Sequence, residues 1–180
     1  GSAPGGFLSA ATFQLAQPRA WPQVQWFAPG MIYGGFAHLT DTAIGGRAHY
    51  RPGDFAMRIR EDRLPAPLVL AYFTDGSSLA VLDPAPRGDT TAADANDVQA
   101  VPLVDGRFQF GSLGGEERGE SVALGYWFPG SEGEVTYAGN TYPGGQLHQW
   151  RRRFHPIADG LKQRYSVAFR VGRNEEFTDA

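Results

Sequence analysis

Apolar residues along the chain recur at short range, and the spacing is that of strands. Phe55, Met57 and Ile59 alternate with Ala56, Arg58 and Arg60. One face of that segment is apolar and the other basic, the pattern of a half-buried strand. Phe13-Gln14-Leu15 and Val24-Gln25-Trp26 show shorter alternation, and Arg47–Tyr50 is a further candidate. The clearest unit is PLVLAYFTDGSSLAVLDP, Pro67 to Pro84. Two apolar runs flank Asp75-Gly76, and Gly at that position accepts the positive φ of a tight hairpin turn. Both arms are continuously apolar, so this hairpin is expected at the centre of a sheet, covered on both faces.

Val101–Val104 and Arg107–Phe110, around Asp105-Gly106, predict a second hairpin. Ser121–Phe128, SVALGYWF, reads as a buried strand, and Leu147–Phe154 and Gln163–Val171 complete the set. Between them, Ala28–Gly35, Pro84–Asp97 and Gly111–Glu120 are expected to be loops, from their glycine, proline and polar content. No long capped run at helical period occurs, and no repeat of 20–50 residues is visible. The expected fold is all-β: about ten or more strands in a large antiparallel two-sheet β-sandwich of supersandwich type.

The 24 glycines and 13 prolines follow no collagen period and sit between apolar runs, which agrees with that reading. The chain is long enough for one sizeable core. Its net charge of −3 argues against a general phosphate-binding surface, so no nucleic-acid partner is expected. The absence of cysteine excludes disulfides, thiol nucleophiles and cysteine metal sites. No apolar run approaches the roughly 18 residues of a membrane span, so no membrane partner is expected. Gly1-Ser2 reads as a cloning remnant, and residues 1–6 as a tag or disordered start. Residues 7–172 are expected to form the sandwich, and 173–180 to begin a linker to a further domain. Composition leaves open a cytoplasmic, periplasmic or secreted bacterial location.

The common nucleophile and phosphate-loop motifs are missing. The histidines, His38, His49, His148 and His155, lack the spacing of a metal site, and Asp94, Asn96 and Asp97 lack the glycine and distal glutamate of a calcium loop. No metal or cofactor is expected. Carboxylate pairs suited to glycoside hydrolysis could be drawn from Glu61-Asp62, Glu116-Glu117 or Glu132/Glu134, but 19 acidic residues produce such pairs by chance. WRRRFHP, Trp150 to Pro156, places three arginines between aromatics. On a strand, Trp150, Arg152 and Phe154 share one face, and Arg151 and Arg153 the other. The plain reading is a strand with one solvated basic face; the functional one makes Arg151, Arg152 and Arg153 a contact for a neighbouring domain. Aromatics beside polar side chains suit sugars, whose C–H faces stack on rings. The sugar-binding candidates are Tyr33, Trp127, Tyr137, Asn140, Tyr142, His148 and Trp150.

The segments WFAPGMIYGG, RIREDRLPAPLVLAYFTDGSSLAVLDP, YWFPG and NTYPGGQLHQWRRRFHP, in this order, resemble the N-terminal β-sandwich of certain bacterial multidomain glycoside hydrolases. In those enzymes a supersandwich precedes an (α/α)-barrel catalytic domain. The resemblance spans roughly residues 7–177 in style and order, and no fingerprint motif fixes it. It implies that catalytic carboxylates lie in a downstream helical domain, and that the sandwich braces it. The APGMIYGG and Tyr142 loops would be the ones to reach a substrate cleft. The leading expectation is therefore a non-catalytic domain of a carbohydrate-active enzyme, with the downstream catalytic domain and carbohydrate as partners. A stand-alone carbohydrate-binding module is a second reading. A small β-sandwich lyase or hydrolase using His148, Tyr142 and Arg151 is a third.

Overall fold

A computed structural model of the chain describes residues 5–14, 18, 20, 23–29, 31–33, 56–87, 103–104, 106, 109–130 and 153–173. Among these residues the chain forms twelve strands and a single helical turn. The strands are β1 (Gly6–Phe7), β2 (Ser9–Gln14), β3 (Val24–Ala28), β4 (Met31–Tyr33), β5 (Ala56–Arg60), β6 (Leu68–Phe73), β7 (Ser78–Leu82), β8 (Leu103–Val104), β9 (Ser112–Arg118), β10 (Ser121–Phe128), β11 (Arg153–Pro156) and β12 (Ala168–Gly172). A 3-10 turn, Glu61–Arg63, follows β5 directly.

The fold is all-β. A five-stranded sheet runs β12-β7-β6-β3-β4, and a four-stranded sheet runs β2-β10-β9-β5. Every pairing within these two sheets is antiparallel. The sheets pack face to face, β9 and β10 against β6 and β7. A smaller third sheet, β1-β11-β8, adds to the expected pair, and its β8–β11 pairing is parallel.

Strand alternation sorts the residues into faces, because opposed residues of an antiparallel pair project to the same side. From the five-stranded sheet, Val24, Trp26, Val69, Ala71, Phe73, Leu79 and Val81 enter the core. From the four-stranded sheet come Met57, Ile59, Leu113, Val122, Leu124, Tyr126 and Phe128. The β6–β7 hairpin is central, as its continuous apolar arms predict. Leu70, Ala80 and Ser78 on its outer face are buried as well. Its turn contains Gly76 at φ 76°.

Gly111–Glu120 is not the loop that its polar letters suggest. Seven of its residues form β9, and Ser112–Gly115 are buried. The turn is confined to Gly119-Glu120, which joins Arg118 to Ser121 in register. Gly119 has φ 62°, a conformation in which a Cβ is strained. Gly119→Ala is expected to lower stability by about 1 kcal/mol, read from the urea midpoint at unchanged slope. Gly115 has another role. A Cβ there would lie 2.2 Å from the Trp26 indole, so the missing side chain is the space in which Trp26 packs.

Three further expectations change. Ala28–Gly35 is not all loop: β4 folds back on β3, pairing Tyr33 with Trp26 and Met31 with Ala28. Of the hairpin expected around Asp105-Gly106, Asp105, Arg107 and Phe108 lie outside the described residues. Gln109 and Phe110 are outside any strand, and β8 pairs with β11. The last expected strand, Gln163–Val171, starts later than expected, since the strand runs Ala168–Gly172. Residues 161–167 still alternate in exposure, and Tyr165 and Val167 pack on the core. The expected strand Arg47–Tyr50 lies outside the described residues.

Candidate functional site

Two clusters of charged residues stand out, one inside the sandwich and one on the outer face of the four-stranded sheet. Both follow from the alternation of β5. Met57 and Ile59 point inward, and the next inward position is Glu61. In β7, Leu79 and Val81 point inward, and the next inward position is Asp83. The two carboxyls therefore enter the same layer from opposite sheets, where both strands end. Each residue is only 2% exposed.

Glu61 is held tightly. Its Oε1 accepts the Gly111 N–H at 2.6 Å and the Arg87 N–H at 3.4 Å. Its own N–H donates to the Gly111 carbonyl at 3.0 Å. Burial, then the neighbouring Asp83 carboxyl, raises Glu61 from an ordinary 4.5 to about 7, against the two N–H donors. Asp83 is anchored in turn, its Oδ1 accepting the Ala85 N–H at 2.8 Å. The Tyr126 hydroxyl completes the cluster, and burial, then the nearby Glu61 and Asp83 charges, push its pKa up. Glu61 Oε2, Tyr126 Oη and Arg87 Nη2 are buried without a conventional hydrogen-bond partner. Gly111 lets the Tyr126 ring approach, since a Cβ there would meet the ring at 2.1 Å.

The outer cluster uses the alternate residues. Arg60 is fully buried and forms a forked pair with Asp62, Nε to Oδ1 at 2.9 Å and Nη2 to Oδ2 at 2.6 Å. Its guanidinium also lies 4.1 Å from the Phe110 ring centroid. Arg58 pairs with Glu116 and lies 4.4 Å from the Trp127 ring centroid. Arg118 binds the other Glu116 oxygen at 2.6 Å. Glu116 is therefore a structural partner of two arginines on neighbouring strand positions, not one half of an open acid pair with Glu117.

The structure places the sequence-derived candidates as follows. Trp127 is buried with Arg58 over its ring, an arrangement that presents no open stacking face. Tyr33 ends β4. Arg153, expected on a solvated face, is buried; its Nη1 donates to the Gly130 carbonyl at 3.3 Å. It also lies 5.8 Å from the Phe110 ring centroid. Interior packing, not solvent, is therefore what Arg153 meets. His155 is satisfied by its neighbours, with Nδ1 3.1 Å from the Pro156 carbonyl and Nε2 3.0 Å from Gln109 Nε2. Tyr137, Asn140, Tyr142, His148, Trp150, Arg151 and Arg152 lie outside the described residues, as do Glu132, Glu134, Asp94, Asn96 and Asp97. Among the described residues no three His, Cys, Asp or Glu side chains gather as a metal site would require.

The Glu61–Asp83 pair was not among the carboxylate pairs expected. Sequence proximity favours Glu61-Asp62, but adjacent residues diverge at the strand end: Asp62 turns to Arg60 and Glu61 turns inward. The signal was the inward parity of Glu61 after Met57 and Ile59, and of Asp83 after Leu79 and Val81. Comparisons with known family models, curated proteins and solved structures find no match for this chain.

Proposed function

We propose that the chain is a non-catalytic β-sandwich domain of a carbohydrate-active enzyme, working by packing against a neighbouring catalytic domain of the same polypeptide. The observation that carries the docking role is an open apolar flank. Residues 161–167 alternate in exposure with the odd positions half-buried, and in β12 Phe169 and Val171 are opposed to the inward-facing Val81 and Leu79. Tyr165 and Val167 reach the core, but Phe169 is 36% and Val171 51% exposed. Phe13, inward-facing on the edge strand β2, is 40% exposed and lies 5.8 Å from Phe169, ring to ring. These are core-facing side chains at the edges of both sheets, and a partner surface would complete the core there. Lys162, Arg164, Arg170 and Arg173 are exposed along the same stretch, which suits an acidic rim on the partner. The carbohydrate part of the reading rests on the sequence resemblance.

Among the described residues, the reading is supported by the burial of the Glu61–Asp83 and Arg60–Asp62 groups. Glu61, Asp83 and Arg60 are sealed in packing, which suits stability better than turnover. An immunoblot of the source organism with an antibody to this domain tests the proposal. A band far above 19.5 kDa is expected, and one near 19.5 kDa overturns it. In the larger polypeptide, Phe169→Asp with Val171→Asp should free the sandwich from its neighbour, measured as faster proteolysis between them. The isolated sandwich should lose no more than about 1 kcal/mol from the same changes, as exposed positions do.

A further inference from the structure

We infer that Glu61 and Asp83 form a proton-sharing latch that ties the two sheets together at one end of the sandwich and loosens when both carboxyls ionise. The inference is independent of the docking role and rests on placement. Glu61 and Asp83 follow inward-facing strands of opposite sheets, each is almost wholly removed from water, and both carboxyls hold the same short segment, Glu61 through the Arg87 N–H at 3.4 Å and Asp83 through the Ala85 N–H at 2.8 Å. Two ionised carboxylates in such a layer repel each other and lose hydration, whereas one shared proton turns the contact into a hydrogen bond.

The surroundings favour the shared proton over an ion pair. On the element after β7, Arg87 gives Glu61 its backbone N–H, while its guanidinium lies 5.5 Å from the Phe128 ring centroid. On β5, Arg60 projects to the other face and is forked onto Asp62. On β11, Arg153 is directed to the Gly130 carbonyl and Phe110, and His155 to Gln109 and Pro156. From β10 the facing titratable group is Tyr126, held in its neutral form. Glu61 Oε2 is buried without a conventional partner, the oxygen that would carry the proton toward Asp83.

The latch joins three chain segments. Glu61 holds Gly111, at the start of β9, through two hydrogen bonds, and also takes the Arg87 N–H. Asp83 holds Ala85 and, through its N–H, the Pro67 carbonyl at 3.0 Å. Loosening the pair therefore frees the end of β5, the start of β9 and the Asp83–Arg87 segment together, with the rest of the core intact.

The direction with pH follows from proton counts. Between the ordinary 4.5 and about 7 the folded chain keeps a proton on Glu61 that the unfolded chain has released. Stability from the latch is then complete below 4.5 and is lost as pH rises through about 7. The unfolding equilibrium constant of the wild type should rise by about a hundredfold across that window, from this group alone. Glu61→Gln mimics the protonated acid and should flatten that dependence, so the difference between the two curves isolates the latch. Hydrogen exchange at the Gly111 and Arg87 amides should quicken, relative to the core amides, as the wild type crosses neutral pH, and not in Glu61→Gln. Parallel pH curves for the two proteins would overturn the inference. Should Glu61→Gln fail to fold, infrared spectra of the wild type decide. A buried protonated carboxyl band at about pH 6 that fades toward pH 8 is expected, and its absence overturns the latch.

Discussion

Trp26→Ala is expected to cost this domain about 3–5 kcal/mol, a large share of the 5–15 kcal/mol by which domains are ordinarily stable. Trp26 is almost completely buried and comes from the middle of the five-stranded sheet, where β3 lies beside β6. Its ring crosses the sandwich to Gly115 on β9, the one place in that row of the opposite sheet without a side chain. The row is otherwise filled by Met57, Leu124 and Phe13, which flank Gly115 by strand register. None of these can follow the ring inward, because each is fixed to its own strand. The cavity should stay open, and the cost should lie toward the upper end of the large-to-small range. Urea unfolding should show the midpoint falling with the slope unchanged. A loss under about 1 kcal/mol would mean that the two sheets do not meet through this ring. Gly115→Val tests the same contact from the other side by overfilling it. Combined with Trp26→Ala it should cost less than the sum of the single changes, since the valine enters space that the indole has left.

That pair also shows what could be read in the chain and what could not. The apolar arms around Asp75-Gly76 announced β6 and β7, because a continuous apolar run bounded by a tight turn has few other folded uses. SVALGYWF announced β10 for the same reason. GSLGGEERGE hid β9, because propensity counts glycine and glutamate as loop letters. Burial in β9 instead depends on what arrives from elsewhere: the Trp26 ring over Gly115, and Arg58 and Arg118 on Glu116. A local window contains neither partner. WRRRFHP failed differently. Alternation separated Arg153 from Arg152, but whether the Arg153 side faced solvent depended on Phe110 and Gly130, which are distant in sequence. The acidic pair was half legible, since parity aims both Glu61 and Asp83 inward. That they meet depends on β5 and β7 ending at the same end of the sandwich, a property of sheet packing.

Breaking the Arg60–Asp62 fork is the other change with a large expected effect. Both groups are nearly or fully removed from water, at side-chain exposures of 0% and 6%. Arg60→Met keeps an unbranched side chain in the buried site but removes the guanidinium over Phe110 and leaves the Asp62 carboxylate buried without its forked partner. The expected loss is about 3–5 kcal/mol, because a buried charge without its counter-ion costs far more than the intact pair contributes. The intact pair is itself no measure of stability, since desolvating both ions offsets much of their attraction. Two variants separate these effects. Arg60→Met with Asp62→Asn should regain a large part of the loss, as no ion then remains buried. Arg60→Lys should stay close to the damaged level, since a lysine cannot fork onto both carboxylate oxygens or stack flat on Phe110. If the single and double changes destabilised equally, the burial of the stem rather than the pairing of charge would be the stabilising feature. The position matters for the neighbouring acid as well. With Arg60 committed to Asp62 on the outer face, its charge is unavailable to Glu61 on the inner one. Loss of the fork should therefore move the pH dependence assigned to Glu61 only slightly, whereas Glu61→Gln should remove it.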